Sequence, residues 1–346
     1  MEIYSVLYNQ FLTDFHYSHR HIRLTNVPQI WDIELTNYCN LDCAMCPRRL
    51  MTRQVGFMDM GLFRRVIDQA KDYTDFAWLH LFGESLFHPQ LEEAISYCAD
   101  SGVKSGLSTN ATLLDEEKAH LLLRSKLNRL ILSIDGTHVD TYEKLRRGAH
   151  FETVRANIQH FFQFKKKLNN TRMRAEVQII IMQETWPEIE EFKRQWNGLA
   201  DGVYVKYFCR WANQNESISR LARSEEKLPM LAGPRYPCEF LWKNGVVLWN
   251  GDVVPCCMDF DAKAVLGNLR RETLKEIWNS SRARQLRAAH RTHDFDNPLC
   301  KDCTEWLGGP TDWLYPVSRR FYPLSKTFCK VLGSRLLRTL CKTKRT

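Results

Sequence analysis

Three cysteines stand at CxxxCxxC spacing in Cys39-Asn40-Leu41-Asp42-Cys43-Ala44-Met45-Cys46, directly after the apolar run Ile30-Trp31-Asp32-Ile33-Glu34-Leu35. Cysteine thiolates hold iron–sulfur clusters, and a [4Fe–4S] cube takes four of them. This loop supplies three, so one iron is left open to a small molecule. A zinc knuckle wants four ligands, and the local motif has no fourth. A second group lies further on, with Cys238, Cys256 and then Cys300-Lys301-Asp302-Cys303. Two thiolates on a hairpin and two on a tight knuckle close one auxiliary [4Fe–4S] cluster, although the same four also suit zinc. Cys98 falls on a helical stretch and reads as core.

These thiols need a scaffold, and the chain between them alternates apolar runs with amphipathic stretches. Strands are expected at 32–35, 77–81, 104–108, 129–134, 174–181 and 202–208. Helices are expected at 60–73, 90–101, 115–125, 139–147 with 151–164, and 187–197. Strands rich in Ile, Val and Leu, each followed by a helix, imply a parallel sheet. Six such units suggest an α/β fold, a partial (β/α)6 TIM-like barrel, whose site lies at the C-terminal ends of the strands. The cysteine loop follows the first strand and falls there. The divisions read as a lead-in 1–29, a barrel 30–212, a polar linker 213–232, a cysteine-bearing module 233–306 and a tail 307–346.

The cysteine loop closely resembles that of radical S-adenosylmethionine (radical SAM) enzymes. The resemblance implies that SAM chelates the open iron and is cleaved to a 5′-deoxyadenosyl radical, which abstracts a substrate hydrogen. Leu81-Phe82-Gly83-Glu84-Ser85 resembles the family's GGEP motif, with Phe82 and Ser85 departing from it. Gly83 would let the protein backbone approach SAM, and Glu84 would accept its ammonium. Strand ends at Ser108-Thr109-Asn110 and Ser133-Ile134-Asp135 match positions that bond the SAM ribose and carboxylate. Ser108 and Ser133 take that role, whereas Thr109 and Asp135 read as helix N-caps. An arginine of Arg146-Arg147 resembles the clamp on the SAM carboxylate; Arg147 is favoured, with Arg146 left open. Met45 stands where an aromatic usually packs on adenine, a contact that a thioether also makes.

The later cysteines, with four residues between Gly251 and Cys256, resemble the SPASM/twitch extension of the same enzymes. That spacing favours Cys256 over its neighbour Cys257. The implied cofactors are a [4Fe–4S] cluster binding SAM, SAM itself and one auxiliary [4Fe–4S] cluster. The implied partner is an external electron donor such as flavodoxin or ferredoxin. Relatives with this layout oxidise sugars and aminocyclitols, and others modify peptides or sulfatases. Residues 1–29 are too short for a separate peptide-binding domain. That tilts the expectation to a radical SAM oxidoreductase with a small or saccharide substrate over peptide modification. A bare electron carrier would have no use for the open iron. Tyr207, at the end of the sixth strand, is the candidate proton acceptor.

The net charge of +9 resides in the tail, where 313–346 hold nine Lys/Arg and no acid, leaving 40 basic and 40 acidic residues before it. No fold-wide nucleic-acid surface is indicated. Without an apolar signal core or a run of 18 apolar residues, the expectation is a cytoplasmic protein with reduced, metal-binding cysteines. Leu324, Phe328, Val331, Leu332, Leu336, Leu337 and Leu340 recur at helical spacing among the tail's bases. Such a helix suits either docking on the barrel or peripheral contact at the inner face of a membrane, within reach of a lipid-linked saccharide.

Overall fold

The computed structural model describes residues 2–223 and 235–306. Helix α1 (Glu2–Ser18) precedes the barrel, where the sequence reading has only a polar and aromatic lead-in. Then follow β1 (Gln29–Ile33), α2 (Met60–Ala70), β2 (Phe76–Trp78), α3 (Leu91–Asp100), β3 (Lys104–Thr109) and α4 (Glu116–Arg124). The unit continues with β4 (Arg129–Ser133), α5 (Val139–Leu145), α6 (Phe151–Lys167), β5 (Arg174–Ile180), α7 (Ile189–Trp196) and β6 (Gly202–Lys206). Helices start where short polar side chains cap them: Asp59 accepts from the Leu62 amide at α2 and Asp115 from Lys118 at α4.

Beyond the barrel lie α8 (Glu216–Ser219), α9 (Phe240–Lys243), β7 (Asn244–Val247), β8 (Asp252–Val254), β9 (Gly267–Asn268), α10 (Leu274–Trp278) and α11 (Ser281–Arg291). One sheet runs through both parts in the order β6-β5-β4-β3-β2-β1-β7-β8-β9. Strands β1 to β6 are parallel neighbours in sequence order, as expected of successive βα units. Strand β7 pairs parallel to β1, and the β7–β8–β9 hairpins complete the sheet antiparallel. The second cysteine module is therefore an extension of the barrel's first edge. Helix α1 and the segment behind it are stapled to this module. Tyr17 donates to the Pro237 carbonyl at 2.9 Å, and buried Arg287 donates to the carbonyls of Ile22, Leu241 and Trp278.

Two strands depart from expectation for visible reasons. Strand β1 begins at Gln29 because it pairs with β7 from Gln29↔Asn244 to Ile33↔Val247, with a register irregularity between Ile30 and Asp32. Strand β2 stops at Trp78 because side chains take over its ladder. The Leu79 carbonyl accepts from Ser85 Oγ, and the Ser108 amide donates to His80 Nδ1. Of the linker, 213–223 form a short turn and α8, while 224–232 and the start of the module at 233–234 lie outside the described residues. The tail helix expected from Leu324, with Cys329 and Cys341, also lies outside them. Among the described residues no helix is long and apolar enough to cross a membrane.

Strand period sorts side chains onto two faces. Leu130, Leu132, Val177 and Ile179 join the core shared with the helices, whereas Trp78 and Ile131 are buried outside it. A Cβ on Gly106 would lie 2.6 and 2.7 Å from the Trp78 and Phe76 rings, so glycine makes room for both on this concave side. The same alternation puts His80, Ser108, Ser133, Gln178 and Lys206 in the lumen. Cys98 is fully buried in α3, as expected.

Candidate active site

The first three thiols sit in the loop between β1 and α2, at the C-terminal end of the barrel strands. Backbone bonds hold the loop open: Asp42 and Ala44 amides donate to the carbonyls of Arg147 and Leu145 at 3.0 and 2.8 Å. Trp211 Nε1 donates to the Met45 carbonyl at 2.9 Å, tying the loop to the chain beyond β6. Met45 itself is buried in the main core. Burial pushes the Cys39 and Cys43 thiols up and that of Cys46 up to about 12. Bare thiolates are thus disfavoured here, and a positively charged iron centre would offset that cost.

Two donors aim at these sulfurs. Asn110 Nδ2 lies 3.8 Å from Cys39 Sγ and Arg146 Nη1 lies 3.9 Å from Cys43 Sγ. Glu84, 2% exposed, accepts from the Leu86 and Asn110 amides at 3.1 and 2.8 Å. Its carboxylate, expected to meet an ammonium, also holds the Asn110 backbone beside Cys39. Gly83 is required by close approach, since a Cβ there would come 2.2 Å from the Thr36 carbonyl oxygen. Ser108 and Ser133 hydroxyls meet at 3.1 Å where their strands end.

Arg147, preferred in the sequence reading, and Arg146 lie in different surroundings. Arg147 is exposed and contributes only its backbone carbonyl to the loop. Arg146 turns inward, and its Nε lies 2.8 Å from Asp135 Oδ2. Asp135 Oδ1 accepts from the Ile180 amide at 2.7 Å, so Asp135 is an ion-pair partner and not the N-cap of α5, which is His138. Successive residues at a helix end differ in direction by about 100°, enough to send neighbouring arginines to opposite environments. Thr109 also caps no helix; its hydroxyl accepts from the Ala111 amide. With side chains 11% and 0% exposed, the Arg146–Asp135 pair is buried. Arg146→Met strands a buried carboxylate and is expected to cost about 3 kcal/mol in anaerobic denaturation. Arg147→Ala is expected to cost less than about 0.5 kcal/mol. Equal losses would contradict the assignment.

In the second module, Cys238, Cys256, Cys300 and Cys303 come from the turn before α9, the loop after β8 and the final knuckle. Burial drives the Cys256 thiol well above its ordinary value, and Cys257, Cys238, Cys303 and Cys300 add to the rise. The charged neighbours of Cys257 are Asp32, Lys206 and Glu305 instead. Cys256 thus shares surroundings with the other three thiols, while Cys257 looks toward the barrel. Glu305 accepts from the Arg210 amide and lies 3.4 Å from Cys303 Sγ. Among the described residues no three His, Cys, Asp or Glu side chains are arranged to hold a single metal ion. The donor sets, three thiols in one loop and four in the module, fit iron–sulfur clusters, whose corners spread their cysteines wider than one ion does.

Tyr207 sits on the rim, 37% exposed. The ionisable groups inside the barrel are ones that sequence reading did not single out: Asp32, His80 and Lys206. Their only signal was a charged or polar residue interrupting an apolar strand. His80 Nδ1 accepts the Ser108 amide, which leaves the ring proton on Nε2. Burial and then Lys206 hold the imidazole down at about 3, so it stays neutral.

The profile of the radical SAM superfamily matches residues 33–194, and that of the SPASM iron–sulfur cluster-binding domain matches 238–304. A curated relative, the tungsten-containing aldehyde ferredoxin oxidoreductase cofactor-modifying protein of Pyrococcus furiosus, is 22% identical over 79% of this chain and 86% of its own. The S-adenosyl-L-methionine-dependent 2-deoxy-scyllo-inosamine dehydrogenase of Niallia circulans is 20% identical over 79% of this chain and 91% of its own. Among solved structures, SuiB of Streptococcus suis bound to precursor peptide SuiA matches with TM-score 0.62 and 16% identity. It covers 84% of this chain and 72% of that one. Likeness at that identity speaks to the fold alone.

Proposed function

The chain belongs to the radical SAM superfamily and carries a SPASM iron–sulfur domain, and from that premise we propose that it oxidises an alcohol carbon of a small hydroxylated substrate, such as a sugar or aminocyclitol, to a carbonyl. Its cofactors are a [4Fe–4S] cluster that binds SAM and iron–sulfur at the SPASM domain. When bound, these groups supply a hydrogen-abstracting radical and a one-electron acceptor.

The observation that supports the reading is a group of ionisable side chains on the concave side of the sheet. Lys206 acts on both Asp32 and His80, and Asp32 and Lys206 act on Cys257 of the auxiliary module. Asp32 is buried, and ionisable groups with shifted protonation gather at functional sites; these three suit hydroxyl and amino groups. The chain's own residues then have separable roles. Cys39, Cys43 and Cys46 hold the SAM-binding cluster, with Asn110 and Arg146 aimed at two of the sulfurs. Ser108 and Ser133, whose hydroxyls meet at 3.1 Å, bond the SAM ribose and carboxylate on this reading. Arg146, buried with its Nη1 3.9 Å from Cys43 Sγ, takes the role of carboxylate clamp that the sequence reading gave to Arg147. Cys238, Cys256, Cys300 and Cys303 hold the auxiliary cluster, and Tyr207 is left to the rim. The protein draws its electron from an external carrier.

The test uses anaerobic enzyme with SAM, a chemical reductant, and carbon-deuterated myo-inositol or 2-deoxy-scyllo-inosamine. Deuterium is expected in 5′-deoxyadenosine, with a product lighter than the probe by the two hydrogens lost. Transfer from neither probe overturns the reading.

A further inference from the structure

Strands β1 and β6 are the first and last of the six successive βα strands, with four strands between them. Side chains on those two strands can influence each other only across the concave side of the curved sheet. Asp32 of β1 and Lys206 of β6 do so. Lys206 also acts on His80, beyond β2, and on Cys257 of the auxiliary module. Lys206 thus has electrostatic neighbours on three other elements, Asp32, His80 and Cys257, and Asp32 also acts on Cys257.

Asp32 is the unusual member. It is 7% exposed, yet no described donor hydrogen-bonds its carboxylate. Other buried acids nearby are fully engaged: Glu34 with Arg53, Asp135 with Arg146 and Glu176 with Arg129. A buried carboxylate without a donor is costly unless a ligand supplies one.

We propose that Asp32 binds a substrate hydroxyl in the lumen and accepts its proton, with Lys206 as the positioning charge opposite. This rests on the alcohol-oxidation reading above. The balance closes with groups already named. The carbinol C–H bond breaks and its hydrogen atom leaves to the 5′-deoxyadenosyl radical. The hydroxyl O–H bond breaks and its proton passes to Asp32 Oδ. The remaining electron goes to the auxiliary iron–sulfur cluster as the C=O bond forms. The substrate loses two hydrogens, one as an atom and one as a proton plus an electron. His80, kept neutral with its proton on Nε2, donates to a substrate oxygen and does not compete for the proton.

Burial pushes the Asp32 carboxyl up to about 7 and Lys206 pulls against that rise. The base form therefore accumulates as pH rises through about 7, giving carbonyl formation an acid limb. The titratable groups facing Asp32 are Lys206 from β6, Cys257 from the loop after β8, and His80, which shares Lys206 with it. The adjoining β7, Asn244-Gly245-Val246-Val247, carries none.

The experiment follows carbonyl product and deuterated 5′-deoxyadenosine together across pH, with carbon-deuterated myo-inositol and 2-deoxy-scyllo-inosamine. Asp32→Asn is expected to lower carbonyl formation by about 10²-fold or more and to remove the acid limb, while Asp32→Glu restores the limb. Lys206→Met is expected to move the limb to higher pH. Wild-type deuterium transfer with a normal carbonyl yield and limb in Asp32→Asn overturns the role of Asp32 but leaves the alcohol-oxidation reading standing. No wild-type transfer from either probe overturns both. If Asp32→Asn fails to take up iron, Lys206→Met decides, and an unmoved limb rejects the proposal.

Discussion

Alanine at Cys39, Cys43 and Cys46 together is expected to abolish reductive cleavage of SAM while leaving about half of the iron, on the count of two equal clusters each held by cysteine. The fold should survive, because the loop is held by backbone bonds from Asp42 and Ala44 and by Trp211 on the Met45 carbonyl, none of which uses a thiol. Anaerobic reconstitution, iron assay and chromatography of 5′-deoxyadenosine measure both parts. The triple variant still forming 5′-deoxyadenosine would sink the assignment. Loss of all iron would show instead that the two sites do not assemble separately.

Serine at Cys300 and Cys303 should have the opposite signature. Carbonyl product is expected to fall to background while 5′-deoxyadenosine still forms, because the first three thiols are untouched. The knuckle is held independently of its sulfurs, with Cys300 and Lys301 amides on the Asn297 carbonyl and Arg235 donating to the Cys300 and Lys301 carbonyls. Electron paramagnetic resonance of the reduced protein should then show one cluster signal, and that signal should change when SAM is added. Stoichiometric zinc in the wild-type module, with iron for only one cluster, would remove the electron-acceptor role from the mechanism.

Both predictions rest on features legible in the chain itself. CxxxCxxC and CxxC put their sulfurs within one turn or loop, so covalent spacing alone brings the ligands together. The alternation of apolar runs with amphipathic stretches likewise exposes the βα units, because burial on a strand or helix face imposes its period locally. Hence the six parallel strands, the site at their C-terminal ends and the two iron–sulfur groups followed from sequence reading and its family resemblance. Missed were helix α1 and the true start of β1, the latter because pairing with β7, more than 200 residues away, decides where the ladder begins.

Covalent order supplies the inventory: three thiols with one open position, four more behind them, and a parallel scaffold to carry both. Tertiary structure decided which way the side chains face. It turned Arg146 inward and Arg147 outward, set the Glu84 carboxylate on the Asn110 amide, and gave Cys257 neighbours different from those of Cys256. It also set Asp32 opposite Lys206 across the lumen. The physical reason is angular. One residue changes direction by about 100° at a helix end and reverses it on a strand, while local spacing fixes no zero for that rotation. Only the curvature of the sheet, which brings β1 and β6 within electrostatic reach, supplies that zero.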